Sequence, residues 1–370
     1  MRVLLTGAGG FLGWHTRVRL RALTDSESMP VTRERWSELD DLTKQAEAVI
    51  HVAGVNRSEP EEVERGNRML AEQVAEAVRS AEGVARVVYA NSTQVGNGTV
   101  YGLAKQAAGE ILAQAAEDVG AAYVDVRLPN LFGEHGRPDY NSFVATFVDA
   151  VVRGATPVIQ DRDVALLHVQ DAAQLLLDGL DGDTRVLAPP GTAVTVQRVY
   201  ELLRDFQAVY RGSDVPALSS KFEVDLFNTF RARLFPKHYP MALTAHSDQR
   251  GRLVESVRVH GGEGQTFVSS TRPGHTRGDH FHLNKVERFA VVSGQARISL
   301  RQLFGTEVFS FDVTGDEPAA VDMPTMWAHN ITNTGSTELT TLFWTHTLFD
   351  PLAPDTYAEK VVPERQDELC

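Results

Sequence analysis

An α/β domain on a doubly wound parallel sheet, followed by an all-β barrel, is the fold class this sequence predicts. Three observations predict it. The first half alternates short β-branched runs with helical patterns. A glycine-rich loop, Thr6-Gly7-Ala8-Gly9-Gly10-Phe11-Leu12-Gly13, follows the first of those runs. From about Leu243 the texture turns to strand-like runs separated by Gly, Asp, Asn and Pro. With 370 residues the chain is long for one core and suits two domains, 1–242 and 243–370.

Arg2–Leu5, Ala48–Val52, Val84–Tyr89 and Ala122–Arg127 read as buried parallel strands, with Phe11–Ala22, Pro60–Ala81 and Gly102–Val119 as the helices between them. Further helices are expected at Ser142–Arg153, Asp171–Leu180 and Gln197–Tyr210, with Asp171 as an N-cap. Pro216 to Pro240 reads as a connecting region with aromatic helical turns. The barrel strands are expected at Leu253–Val259, Gln265–Ser270, Arg288–Val292, Ala296–Leu303, Val308–Val313 and Leu339–Trp344. In the polar tail, Tyr357 and Val361-Val362 are placed to pack on the barrel or on a partner subunit.

A formal charge of −13 argues against a general binder of nucleic-acid backbone, so no nucleic-acid partner is expected. Cys370 is the only cysteine, which excludes an intrachain disulfide. No signal-like or membrane-spanning apolar run is present, and the expectation is a cytoplasmic protein without a membrane partner.

Strand, G-x-x-G-x-x-G and helix stand in the order a dinucleotide site requires. Gly7 permits the tight turn, Gly10 lets backbone approach a pyrophosphate, and Gly13 allows close helix packing, with Phe11 and Leu12 between them. An acidic residue for a ribose hydroxyl is expected about 20 residues on. Thr32-Arg33 stands there instead and suits a 2′-phosphate, hence NADPH, with Arg33 preferred to Glu34 or Arg35; a solvated Arg33 is the alternative. Tyr101 and Lys105 share a helix face, where the ammonium is expected to lower the phenol pKa and ready it for proton exchange with a carbonyl oxygen. Ser92 and Thr93 end the preceding strand and can bond the same oxygen.

Together these motifs resemble the extended short-chain dehydrogenase/reductase family, over about residues 1–240, which implies a Rossmann-type sheet. The resemblance implies a triad of Ser92 (or Thr93), Tyr101 and Lys105, with Ala53 and Gly54 of His51-Val52-Ala53-Gly54 along the adenosine. The Ser-to-Tyr interval is shorter than in most members. Arg127-Leu128-Pro129-Asn130-Leu131-Phe132-Gly133 matches the loop that faces nicotinamide and substrate in such enzymes.

In the second half, Gly274 to Gly294 reads G-x5-H-x-H-x4-E-x6-G. Strand alternation places His280 and His282 on one face, Glu287 follows a turn, and Pro324 to His329 supplies a further imidazole. His280, His282, Glu287 and His329 form a set suited to Zn²⁺, or to Fe²⁺ or Mn²⁺. The segment resembles the cupin family, a jelly-roll barrel, except that Met326 stands where Gly is usual.

End to end, the chain resembles the bifunctional capsular-polysaccharide enzymes that form UDP-2-acetamido-2,6-dideoxy-L-talose on the route to UDP-N-acetyl-L-fucosamine. The matching segments are His51 to Arg57, Pro129 to Gly133, Asn141 to Phe147, and the tail from Phe349-Asp350-Pro351 to Asp355-Thr356-Tyr357. The resemblance implies that the cupin half epimerises C3 of a UDP-4-keto-6-deoxy-HexNAc, that the reductase half reduces C4 with NADPH, and that the chain forms a homodimer through its cupin domain. Asn130, Arg137 and Asn141 are then candidates for diphosphate or uridine contacts, or are surface residues. His275 is the first candidate for the epimerase base and Lys285 the second, against a solvated role for Lys285. Asp248, Arg250 and Gly251 match a D-x-R-G turn of deoxysugar 3,5-epimerases, or form a plain β-turn. The alternatives are a reductase whose barrel is only a metal-stabilised dimerisation module, a dinucleotide-holding sensor, and a metal-dependent dioxygenase.

Overall fold

A computed structural model of the chain describes residues 1–363; Cys370 lies outside the described residues. The chain forms two compact units, Met1–Thr146 with Ile159–Gln197, and Phe147–Val158 with Arg198–Cys370. The first contains β1 (Arg2–Thr6), α1 (Phe11–Leu23), β2 (Glu27–Val31), α2 (Leu39–Thr43), β3 (Ala48–His51), α3 (Pro60–Arg79), β4 (Arg86–Ser92), α4 (Val100–Asp118), β5 (Ala122–Leu128) and β6 (Asn130–Phe132). It then runs through the start of α5 (Phe143–Val152) to β7 (Asp163–His168), α6 (Val169–Asp178), β8 (Arg185–Leu187) and β9 (Thr192–Thr195).

Six parallel strands are ordered β2-β1-β3-β4-β5-β8. Their apolar runs are continuous because helices cover both faces. Leu4, Val49 and Val87 pack in the layer holding Val74 and Val78 of α3 and Leu112 of α4; Val3, Leu5, Ile50 and Val88 pack in the layer holding Leu20 and Leu176. Helix α3 starts with Pro60 at its first turn and ends on Arg79, complementing its dipole. The Thr99 hydroxyl caps α4 by accepting from Gly102 N–H, which fixes where the turn carrying Tyr101 begins.

Two details differ from the sequence pattern. Strand β2 contains Pro30, tolerated because β2 is an edge strand. Helix α6 begins two residues before Asp171, so His168 is the N-cap residue and Asp171 an acid of the first turn, where the helix dipole favours it.

The second unit carries most of α7 (Val196–Tyr210), then α8 (Lys221–Leu234), β10 (Met241–Ala242), β11 (Ala245–Asp248), β12 (Gly251–Val254), β13 (Gln265–Thr271), β14 (Thr276–Phe281), β15 (Glu287–Ser293) and β16 (Gln295–Gln302). It closes with β17 (Val308–Thr314), β18 (Ala319–Met323), β19 (Trp327–Asn333), β20 (Leu339–Thr345) and β21 (Tyr357–Ala358). Two five-stranded antiparallel sheets result, β10-β18-β15-β20-β13 and β17-β16-β19-β14-β21. The expected strand at Leu253–Val259 stops at Val254, because its hairpin partner β11 begins opposite that residue. Asp248 and Gly251 close this hairpin as a plain turn, with Asp248 accepting from the Arg250 amide.

The region between Pro216 and Pro240 holds a full helix, α8, rather than isolated turns. The Ser220 hydroxyl accepts from Glu223 N–H, and Glu223 reaches back to Ser219 N–H. Arg231, fully buried on α8, donates to the Met323 and Lys285 carbonyls. Beside it Arg288 makes a two-pronged bond to Asp322, at 2.6 and 3.0 Å, and Tyr210 of α7 donates to the same carboxylate at 2.6 Å. These charges join the two helices to the sheet. The tail packs on the barrel in part: Tyr357 pairs with Phe281 and Val361 is fully buried, whereas Val362 is exposed.

Replacing Asp322 by Ala leaves Arg288 buried without its counter-charge. The expected cost is about 3–5 kcal/mol, read as a lower thermal midpoint for the second unit by calorimetry; an unchanged midpoint contradicts the role assigned to this pair.

Candidate active site and metal centre

In the first unit the strand order reverses at β1, with β2 on one side and β3 on the other, the place where open α/β sheets bind ligands at their strand ends. Gly7 has φ +69°, and a Cβ there would lie 2.7 Å from the Ala53 nitrogen; a Cβ on Gly13 would lie 2.1 Å from the Gly7 carbonyl oxygen. These two glycines are therefore packing requirements. Gly9 and Gly10 are exposed instead, and α1 has Gly10 as its N-cap residue, with neither a side-chain cap nor an acid in its first turn. An uncapped positive helix end is a suitable seat for a pyrophosphate. The Thr6 hydroxyl binds His51 Nδ1 at 2.7 Å and accepts from the Val52 and Ala53 amides, so the segment leading to Gly54 is tied to the end of β1. Arg33 is exposed just beyond β2, whereas Arg35 is held by Glu38 and by the Pro30 carbonyl.

Ser92 ends β4 and is buried, while Thr93 is exposed. Lys105 is buried; its ammonium donates to the Ala90 carbonyl at 2.7 Å and stands 4.1 Å from the centre of the Tyr89 ring. Burial pushes Lys105 down to about 7, with Asp125 opposing. Tyr101 donates to Asn56 Oδ1 at 3.3 Å. The expected depression of its pKa is not found: burial raises it. The ammonium is engaged with Ala90 and Tyr89, so it does not offset the desolvation of the phenol.

Below these groups lies a relay without a sequence signature. Asn91 accepts from Ser92 N–H and donates to Asp125, whose other oxygen binds Arg127 at 2.7 Å. Asn130 opens β6 and donates to the Ala165 carbonyl, while Arg137 and Asn141 are exposed on the following loop. That loop is anchored by Glu134, which binds His168 Nε2 at 3.0 Å and whose carbonyl meets His15 Nε2 at 2.9 Å. Burial would raise the Glu134 carboxyl, but His168 draws it down to about 2.

In the second unit, ligand atoms of His280, His282, Glu287 and His329 all lie within 4.8 Å of one another. The convergence has local causes. Gly278, with φ +106°, and Asp279, with φ +57°, form a bulge in β14 that sets His280 opposite His329. Met326 takes φ +62°, the left-handed conformation glycine would supply, so the turn before His329 is kept. His282 Nε2 lies 3.0 Å from Glu287 Oε2, and its Nδ1 donates to the Asp355 carbonyl; His329 Nδ1 donates to the Trp327 carbonyl at 3.0 Å. Those carbonyls fix both rings with Nε2 inward. The buried His329 Nε2 sits 3.3 Å from Glu287 but outside hydrogen-bond geometry with it. Burial would raise the Glu287 carboxyl, yet His282 and His329 hold it well below the usual range; burial and the neighbouring imidazoles push His280 down to about 3. Three imidazoles around a carboxylate make a donor set that fits a divalent transition metal.

His275 and Lys285 are not in this group. His275 is exposed at the turn before β14, and Lys285 Nζ donates to the Pro354 carbonyl and Thr356 hydroxyl at 2.7 and 3.1 Å.

A dinucleotide-type α/β unit with a reductase-like Ser, Tyr and Lys, joined to an antiparallel β-unit, defines the class. Residues 3–182 match the NAD dependent epimerase/dehydratase family, and residues 246–357 match the polysaccharide biosynthesis C-terminal domain. The chain is 32% identical to the UDP-2-acetamido-2,6-beta-L-arabino-hexul-4-ose reductase of Pseudomonas aeruginosa, over 97% of this chain and 98% of that protein. The crystal structure of capsular polysaccharide assembling protein CapF from Staphylococcus aureus is similar at 31% identity and TM-score 0.63, covering 97% of this chain and 100% of that one. A second CapF structure, with the inhibitor 3-isopropenyl-tropolone, has 29% identity and TM-score 0.58 over 97% of this chain and 100% of that one. The chain belongs to the family of these hexulose reductases and capsular-polysaccharide proteins, and its epimerase/dehydratase half implies a nicotinamide cofactor. Among the described residues, no helix is long and apolar enough to cross a membrane.

The position of Lys105 predicts titration near neutrality. In protein carrying ¹³C-labelled lysine, its Cε resonance should move with a midpoint near 7, and Asp125→Asn should lower that midpoint by removing the opposing charge. A midpoint near 10 contradicts the assigned environment.

Proposed function

We propose that this protein is a nucleotide-sugar 4-ketoreductase of capsular-polysaccharide synthesis. In this reading its second half first epimerises C3 of a UDP-4-keto-6-deoxy-HexNAc, and the final product is UDP-2-acetamido-2,6-dideoxy-L-talose. The observation that carries it is the end-to-end likeness, at 32% identity, to a relative named as the reductase of a UDP-hexul-4-ose. The order of steps follows from the chemistry. The C4 carbonyl acidifies the neighbouring C3–H; reduction removes that acidity, so epimerisation precedes it.

We assign residues 1–242 to reduction and 243–370, a cupin barrel, to epimerisation and homodimer formation. Gly7, Gly10, Phe11, Leu12, Gly13, Ala53 and Gly54 hold the dinucleotide, and Arg33 meets the 2′-phosphate of NADPH. Bound NADPH supplies the hydride that reduces C4. Tyr101 delivers its phenolic proton to the C4 alkoxide as the hydride arrives, so carbonyl, hydride and proton together give the alcohol. Lys105, held on the Ala90 carbonyl, completes the triad with Tyr101, and Ser92, rather than the exposed Thr93, hydrogen-bonds the same oxygen. Asn130, Arg137 and Asn141 contact the diphosphate or uridine.

His280, His282, Glu287 and His329 hold Zn²⁺, or Fe²⁺ or Mn²⁺. Such an ion supplies Lewis acidity toward a carbonyl oxygen or, fully ligated, structural cohesion. His275 and Lys285 remain the acid–base candidates. The tether on the Lys285 ammonium and the exposure of His275 favour a second reading, in which the β-unit is a metal-stabilised dimerisation module and the enzyme only reduces.

Incubation with NADPH and a UDP-4-keto-6-deoxy-HexNAc in D₂O, followed by NMR, separates the readings. Deuterium at C3 of the reduced product is expected; reduction without C3 label leaves the module reading, and no reduction overturns both. Tyr101→Phe should lower turnover by about 10²–10⁴-fold, the usual worth of a positioned proton donor, with KM little changed.

Cofactor choice is tested at Arg33. Arg33→Ala should raise the KM for NADPH by about 10–100-fold, the worth of a charged hydrogen bond, while the KM for NADH barely moves. Equal effects on both would remove Arg33 from 2′-phosphate recognition.

A further inference from the structure

We propose that Asp355 is a positioning residue of the His280/His282/Glu287/His329 centre. It acts on His282 through its own carbonyl and on Glu287 through the turn between the two ligands. The proposal rests on the metal reading of that centre and adds to it a residue without any ligand role. The Asp355 carbonyl accepts from His282 Nδ1, which leaves Nε2 facing Glu287. Its carboxylate accepts three consecutive backbone N–H groups: Leu283 at 2.8 Å on one oxygen, Asn284 at 2.9 Å and Lys285 at 2.8 Å on the other. The next amide, Val286, donates to His346 Nδ1 at 2.9 Å. Every amide between the two ligands is therefore fixed, three of them by one side chain.

Asp355 is itself held in place. It sits at φ +42°, a conformation short polar side chains tolerate. Lys285 Nζ grips the Pro354 carbonyl and the Thr356 hydroxyl on either side. Beyond it, Tyr357 and Ala358 pair with Phe281 and His280, and the Glu359 amide donates to the Asp279 carbonyl at 2.9 Å. Arg301 then clamps Glu359 at 2.7 Å. The segment from Pro354 to Glu359 thus borders the strand and turn that carry three of the four proposed ligands. Groups that orient ligands without touching the metal set how closely the donors converge.

The test uses the full chain stripped with a chelator, then titrated with Zn²⁺ against a chromophoric competitor and with Co²⁺ by visible absorption. Asp355→Ala should weaken Zn²⁺ binding by about 10–100-fold, the range for lost support of a ligand, and should shift the Co²⁺ ligand-field bands. Asp355→Asn should weaken it less, because one amide oxygen can still accept from Asn284 and Lys285; it carries the test if the Ala variant does not fold. Asp350→Ala, whose carboxylate caps Leu352 in the same tail, should leave both readouts unchanged. Variants that lower the thermal midpoint of metal-free protein but match wild-type Zn²⁺ affinity and Co²⁺ spectrum overturn the proposal. If folded wild-type protein takes up neither ion, or His282→Ala binds as well as wild type, the metal reading itself fails.

Discussion

A charge taken out of water must be met by opposite charge or by hydrogen bonds, and this requirement shapes both units. Where the match is complete, the group is structural. Arg288 and Asp322 satisfy one another in two bonds, with Tyr210 added, and Arg301 is closed by Glu359 and the carbonyls of Lys360 and Val361. Where the match is partial, the group is left with reactivity. Lys105 has one carbonyl, one ring face and a more distant Asp125, so it is poised near neutrality rather than locked as a cation. Glu287 is a third case. Its nearest neighbours are imidazoles, His282 at 3.0 Å and His329 at 3.3 Å, which orient its carboxylate at the centre of the cluster. That is the condition in which a cation is favoured.

Backbone conformation does comparable service at the turns. Gly7, Gly278 and Met326 all have positive φ, and each precedes a segment on which a proposed site depends. The first two are glycines with crowded surroundings: a Cβ on Gly278 would lie 2.7 Å from the His329 carbonyl oxygen. Met326 reaches the same region with a full side chain. It is fully buried, so apolar contact offsets the strain of a left-handed methionine. Departure from the usual glycine therefore leaves the path into His329 intact.

Much of this was legible in the residues because it rests on periodicity and short-range spacing. The central strands are apolar on both faces and announce themselves, as do the glycine loop, the Tyr101–Lys105 interval and the four-residue His/Glu set. Elements held by partners rather than propensity were not. Strand β2 carries a proline that only an edge position excuses, and β14 carries Gly278 and Asp279, which a strand pattern excludes but a bulge accepts. Helix α8 did have a local signal, Ser220 followed by Glu223, obscured by its aromatic content. The phenol of Tyr101 shows a different limit. Spacing places Lys105 on the same helix face, but whether the ammonium lowers the phenol pKa depends on what else it binds, and Ala90 competes for it.

The same limit separates ligands from their supports. A ligand set is read from residue type because few side chains can bind a metal, whereas any carbonyl or carboxylate can steady a ring. Asp355 lies 73 residues beyond His282 in the chain, and Trp327 steadies His329 by a carbonyl that every residue possesses. Composition and spacing carry no trace of either contact. They come from the return of the tail along β14, and that return is set by distributed pairing: Tyr357 opposite Phe281, Val361 in the core, Glu359 on Arg301. The proposed metal centre is thus specified at two levels, its donors by local sequence and its geometry by the packing of a segment that contains none of them.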